Sequence, residues 1–179
     1  MIRPEYRKAL EDQQQVLVLL WVFFLSAIFI YLWLTEVVLG RSGFSAGSSF
    51  AEITRVVLWL LAFIELGTFV WWRRRFLSKE AILGGAKKYK LLQVLQEHTT
   101  PLEERAAQVV SSYVTSKIVA FAIIEAMAVY GFVLALIGGY IRDQVLFSLA
   151  SGMLLVVEFP SKFRLEELVK EVEGRGHAS

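Results

Sequence analysis

The stretch VLVLLWVFFLSAIFIYLWL, Val16 to Leu34, contains no Asp, Glu, Lys, Arg or His. As a helix it would be roughly 28 Å long, close to the ~30 Å hydrocarbon core of a bilayer. A run this uniformly apolar has no polar face to turn toward water, so it reads as a membrane span rather than an amphipathic surface helix. VVLWLLAFIELGTFVWW, Val56 to Trp72, repeats the pattern with one acid, Glu65, and Ile118 to Ile137 repeats it with another, Glu125. A fourth run, VLFSLASGMLLVVEF from Val145 to Phe159, is shorter and reads either as a span or as a re-entrant or interfacial segment. The chain is 56% hydrophobic, above the just-under-half usual for soluble domains. The expected fold class is all-α: a polytopic membrane protein with four transmembrane helices. The first run is too long for a signal-peptide core, and no small-residue cleavage site follows it before Glu36.

Basic residues set the orientation, because loops rich in Lys and Arg stay on the cytoplasmic side. Between spans two and three lie Arg73, Arg74, Arg75, Lys79, Lys87, Lys88, Lys90 and Arg105. The linker after span one has Arg41 and Arg55, and GGYIRDQ has only Arg142. Both termini and the long middle segment are therefore expected in the cytoplasm, with the chain in a bacterial-type cytoplasmic (inner) membrane. Arg73, Arg74, Arg75, Lys87, Lys88 and Lys90 are the candidate lipid-headgroup contacts. No nucleic-acid recognition motif accompanies these charges, which argues against that class of partner.

The organisation expected is a leader over 1–15, a first transmembrane hairpin over 16–76 and a cytoplasmic helical segment over 77–110. A second hairpin over 111–160 and an amphipathic tail over 161–179 follow. Ser26-Ala27-Ile28-Phe29-Ile30-Tyr31 aligns with Glu125-Ala126-Met127-Ala128-Val129-Tyr130, and Val57–Ala62 aligns with Val145–Ala150. The hairpins are thus either duplicates or chance matches within a small apolar alphabet. Thr100, Pro101 and Glu103 form a helix-start signature, and nothing strongly helix-breaking follows before Leu136. Span three should continue a cytoplasmic stalk as one rod of about 37 residues, roughly 55 Å. Gly84-Gly85 reads as a helix break and Gly138-Gly139 as a span exit. In the tail, Ser161 is the expected cap and Gly174 the stop. Leu165, Leu168, Val169 and Val172 form a helical stripe. That stripe either packs on Val109, Val110 and Tyr113, lies on lipid, or docks a partner.

Glu65 and Glu125 each lie seven residues from the inner edge of their spans, about 10 Å deep. If neighbouring helices brought them together, two like charges would force one to keep its proton. Ala122, Ala128, Gly131, Ala135 and Gly138 form the candidate helix-packing face near Glu125. Tyr130, Tyr31, Thr68, Ser26, Ser148 and Ser151 are the hydrogen-bond candidates. Three roles stay open for the acids: glue between helices, ion handling, or contact with a lipid or small ligand.

The run Glu125-Ala126-Met127-Ala128-Val129-Tyr130-Gly131-Phe132-Val133-Leu134-Ala135-Leu136 resembles the carboxylate helix of rotary ATP synthase proteolipid (c) subunits. That resemblance implies an ion-binding Glu125 with Tyr130 as a neighbouring ligand-sphere residue; Glu65 is a second ion-binding candidate on its matching depth alone. It covers residues 125–136 and no more.

There is no Cys, and the two histidines, His98 and His177, lie outside the apolar runs. That argues against thiolate chemistry and metal or haem ligation in the membrane. With no nucleophile elbow, H-E-x-x-H, Walker loop or Rossmann glycines, neither an enzyme nor a cofactor is expected. The expected role is a non-catalytic accessory or scaffold subunit, surrounded by membrane lipids and associated with itself or a larger membrane complex. The alternative is an ion-translocating, proteolipid-like oligomer.

Overall fold

A computed structural model describes residues 4–42, 49–84 and 100–176. Among them the regular structure is all helical: α1 Pro4–Ser42, α2 Ser49–Phe76, α3 Lys79–Leu83, α4 Pro101–Gly138, α5 Ile141–Val157 and α6 Lys162–Gly176. Three helices, α1, α2 and α4, are long and apolar enough to cross a membrane, and there are four if the bent pair of α5 and α6 counts as one span. Alone, α5 has 17 residues. That is roughly 25 Å, short of the ~30 Å core. Pro160 accounts for the stop, since proline lacks an N–H and crowds the preceding residue out of the helical region.

The long rod expected through span three is α4, with 38 residues. Its start is fixed as the signature predicts: Glu103 N–H donates to Thr100 Oγ1 at 3.3 Å and Glu104 N–H to the Thr100 carbonyl at 3.1 Å. It ends at Gly138, and Gly139 takes a φ of 67°, where a Cβ would be strained. Tyr140, at φ −76° and ψ 61°, sits in an inverse γ-turn closed by Ile141 N–H to the Gly139 carbonyl at 2.8 Å. α3 stops at Leu83 with Gly84 as its cap. α1 begins at Pro4, within the polar leader. One expectation needs correction: the tail helix runs through Gly174 to Gly176, because one helical glycine costs about 1 kcal/mol without forbidding the turn.

The chain divides into two compact units. The first combines Met1–Leu20, Trp72–Val119 and Phe159–Ser179. Here α4 carries a nearly continuous buried run that includes Ala106, Val109, Val110, Tyr113 and Val114, and Leu77, Ile82 and Leu83 are buried as well. Leu165, Leu168, Val169 and Val172 of α6 are also buried within the chain. The stripe proposed for partner docking is therefore covered by the chain's own residues. The described contact is with α3. It is reinforced by Lys79 Nζ at 2.9 Å from both Glu167 and Glu171, and by Arg164 donating to the Leu77 carbonyl at 3.3 Å. Hydrogen bonds to Glu171 and then Glu167 raise the Lys79 pKa. A raised lysine stabilises fully below its unfolded value near 10.4 and loses the effect only as pH climbs through the folded one. At neutral pH this cluster is salt-sensitive, not pH-sensitive.

The second unit combines Trp21–Trp71 and Ala120–Glu158. α4 is its interior helix: 44% of its apolar window is buried, against 17% in α1 and 11% in α2. Phe23, Phe29 and Trp33 of α1, and Leu60, Phe63 and Ile64 of α2, are exposed. Such residues suit lipid, which is as apolar as they are. α4 and α5 approach closely at Gly131, where a Cβ would lie 2.9 Å from Phe147 Cβ and 3.0 Å from Gln144 Cα. Ala62, Met127, Leu134 and Phe147 form the core cluster. Gly131→Ala should therefore cost about 1–3 kcal/mol by overpacking. Gly67→Ala, whose Cβ meets nothing within 4 Å, should be neutral or gain up to about 1 kcal/mol. Thermal unfolding in detergent would separate the two, and equal shifts would contradict the close approach.

Candidate functional site

Inside the second unit, the two membrane acids are each met by a tyrosine from another helix. Tyr31 of α1 donates its hydroxyl to Glu125 Oε1 at 2.8 Å, and Tyr130 of α4 donates to Glu65 Oε1 at 3.2 Å. All four side chains are half-buried. α4 thus offers a carboxyl toward α1 and a phenol toward α2. The helical screw explains the split: five residues separate Glu125 from Tyr130, about 140° around the axis and 7.5 Å along it. Tyr130 therefore serves Glu65, not Glu125 as the proteolipid likeness implies. Among the described residues no hydrogen bond joins the two carboxyls, each of which is met by its own tyrosine.

The Tyr31 pair is supported from behind. Thr35 Oγ1 and Gln144 Nε2 both donate to the Tyr31 carbonyl, at 2.9 and 3.0 Å, and the Tyr31 ring stacks on Phe132 at 5.3 Å. Trp21 Nε1–H donates to the Leu155 carbonyl at 2.7 Å. That carbonyl lies in the last turn of α5, where helical acceptors run out of intrahelical donors. α1 is thereby fastened to α5 at two levels.

Of the other expected partners, Thr68 bonds the Ile64 carbonyl of its own helix at 2.8 Å, and Ser26 is exposed. Ser148 and Ser151 are buried, and their hydroxyls, like Gln144 Oε1, find no hydrogen-bond partner among the described residues. Of the small-residue face, Ala128, Gly131, Ala135 and Gly138 are buried and Ala122 is exposed. Nine residues from Gly131, Ala122 falls on the opposite side of the helix. Gly138 accommodates the Tyr140 ring, not another helix. Arg73, Arg74 and Arg75 are exposed at the end of α2, as lipid-headgroup contacts must be. Lys87, Lys88 and Lys90 lie outside the described residues.

Several buried polar groups escaped the sequence reading. Arg55 Nε and a second guanidinium nitrogen donate to the Asp143 carboxylate at 2.5 and 3.1 Å, and the guanidinium lies 4.8 Å from the Tyr140 ring centroid. Asp143 is almost fully buried while Arg55 is about half exposed. The two short connections carry Glu36, Glu52 and Asp143 beside Arg41, Arg55 and Arg142, and nothing in that mix singles out Arg55 with Asp143. Glu103 and Lys117 in the first unit, and Glu158 in the second, are also buried. Among the described residues no group of three or more His, Cys, Asp or Glu is placed to hold a metal. Comparison with protein-family models, curated proteins and solved structures gave no match.

Each tyrosine–glutamate bond should be worth roughly 0.6–1.7 kcal/mol in lipid. Tyr31→Phe should destabilise by that amount in the native background and much less once Glu125→Leu is present. The same holds for Tyr130→Phe with Glu65→Leu. A double-mutant cycle by reversible unfolding in bicelles measures the coupling, and additive effects would mean that the pairs carry no energy.

Proposed function

We propose that the chain is a non-catalytic integral membrane accessory or scaffold subunit of a bacterial-type inner membrane, with both termini cytoplasmic. The supporting observation is that Tyr31 and Tyr130, from the same chain, satisfy the acids of the apolar bundle. Glu125 and Glu65 act as glue within one subunit, which leaves the outer faces of α1, α2 and α5 for lipid and for association. The duplicated-hairpin reading gains support from one contact. Aligning Val57–Ala62 with Val145–Ala150 makes Trp59 and Phe147 equivalent, and those rings pack at 4.6 Å. A pair that maps onto itself when the halves exchange is what a two-fold relation requires.

The second reading, a proton- or ion-translocating oligomer using Glu125 and Glu65, draws on a different observation. Gln144, Ser148 and Ser151 follow one another at i, i+4 and i+7 on α5, each with an unpartnered polar atom. Buried atoms of that kind are usually satisfied by ordered water.

Proteoliposomes carrying a pH gradient discriminate the two. The scaffold reading expects proton flux at the level of empty vesicles and a mild effect of Glu125→Gln, since the amide still bonds Tyr31. Glu125→Leu should weaken the bundle by about 1–2 kcal/mol. Flux that Glu125→Gln abolishes, with the fold intact, would reverse the assignment.

A further inference from the structure

Arg55 of α2 bonds Asp143 of α5, 88 residues further along the chain, and the packed rings of Trp59 and Phe147 are separated by the same interval. A groove of about 450 Å³ continues the line. It is bordered by Trp59, Ala62 and Leu66 from α2 and by Phe147, Ala150 and Leu154 from α5, three pairs with that one offset. Residues 55, 59, 62 and 66 lie on one helical stripe, as do 143, 147, 150 and 154. The two helices therefore face each other in parallel and in register, each position near its equivalent. The offset also relates like residues: five of the ten from Val57 to Leu66 are identical to those from Val145 to Leu154. The first unit, taken by itself, holds a further instance. Lys79 of α3 bonds Glu167 of α6 at 2.9 Å, again 88 residues away.

Along the apolar stripe, equivalent positions hold the same or a similar residue. At the charged positions they hold opposite ones, and in both pairs the cation belongs to the first half of the chain and the anion to the second. In a two-fold contact between identical halves, a residue beside the axis meets its own copy. A cation there would meet a cation, and like charges brought together are strongly unfavourable. The effect is greatest at Asp143, whose side chain is only 5% exposed, because a buried charge without its counter-ion is costly.

We propose that these opposite charges at equivalent positions determine how the two halves pair: α2 fits α5 and α3 fits α6, and none of them fits a copy of itself. The inference rests on the duplicated-hairpin reading and names the residues that tell one hairpin from the other. An apolar stripe alone makes no such distinction, since Val57–Leu66 presents nearly the same surface as Val145–Leu154. Arg55 with Asp143, and Lys79 with Glu167, supply the difference, as charges do wherever related surfaces must choose between partners.

The test uses the full-length chain, which has no Cys of its own. With a short bifunctional thiol reagent in native membranes, Ala62→Cys with Ala150→Cys and Leu66→Cys with Leu154→Cys should each bridge within one chain. Leu58→Cys with Leu154→Cys, about 12 Å out of register, should not. In the Ala62→Cys, Ala150→Cys background, Arg55→Asp and Asp143→Arg should each cut the bridged fraction about tenfold or more. Combined, they exchange the charges between equivalent positions, and bridging should return to near its native level. Bridges at equivalent positions that ignore the single reversals, or that the exchange does not restore, overturn the charge assignment and leave the duplicated-hairpin reading standing. Bridges found only out of register overturn both. Where a single reversal fails to accumulate in the membrane, the exchanged variant decides: accumulation at the native level upholds the proposal, and its loss overturns it.

Discussion

The constraint on which the second unit depends is the satisfaction of polar groups where no water competes for them. Helices 28 to 39 residues long with this apolarity meet their backbone requirement internally, so attention passes to the side chains. Glu65 and Glu125 would each be expensive alone in hydrocarbon. Each instead accepts a phenolic O–H from a different helix. Because lipid removes the hydrophobic drive between helices, such bonds and close packing are what remains to hold α1 and α2 against the α4–α5 pair. The Gly131 approach, the Trp21 bond to the Leu155 carbonyl and the Arg55–Asp143 ion pair serve the same end at other levels.

The first unit obeys ordinary rules. An amphipathic helix, α6, buries Leu165, Leu168, Val169 and Val172, and capped helix starts at Ser78 and Thr100 satisfy end groups. Its charged contacts join the exposed Lys79 and Glu167 with the half-buried Glu171 and lend register more than stability. Burial of the α6 stripe has a functional consequence. It removes the most obvious docking surface from the candidates.

Much of the layout was legible because it follows from local chemistry. Apolar run length announced the long helices, the Thr100 signature placed the start of α4, and the glycine pair at 138–139 placed its end. The chemistry of the site was only half legible. Glu65, Glu125, Tyr31 and Tyr130 were all recognisable as misfits or partners, yet which tyrosine meets which acid was not. A local likeness suggested Tyr130 beside Glu125, whereas the screw of a single helix turns them about 140° apart. Asp143 and Arg55 read as loop charges because their pairing spans 88 residues, and no local pattern encodes that.

What the sequence determined by itself is the set of helices, since length, apolarity, caps and breakers act within a few residues. What only the tertiary structure decided is partnership: that α4 is the interior helix, that α6 covers its own stripe, and that Gly131 is closed by Phe147 while Gly152 is left open. Those outcomes depend on which faces of separately formed helices come together. In an apolar medium that choice is made by a handful of hydrogen bonds and close contacts, and it leaves almost no periodic trace in the chain.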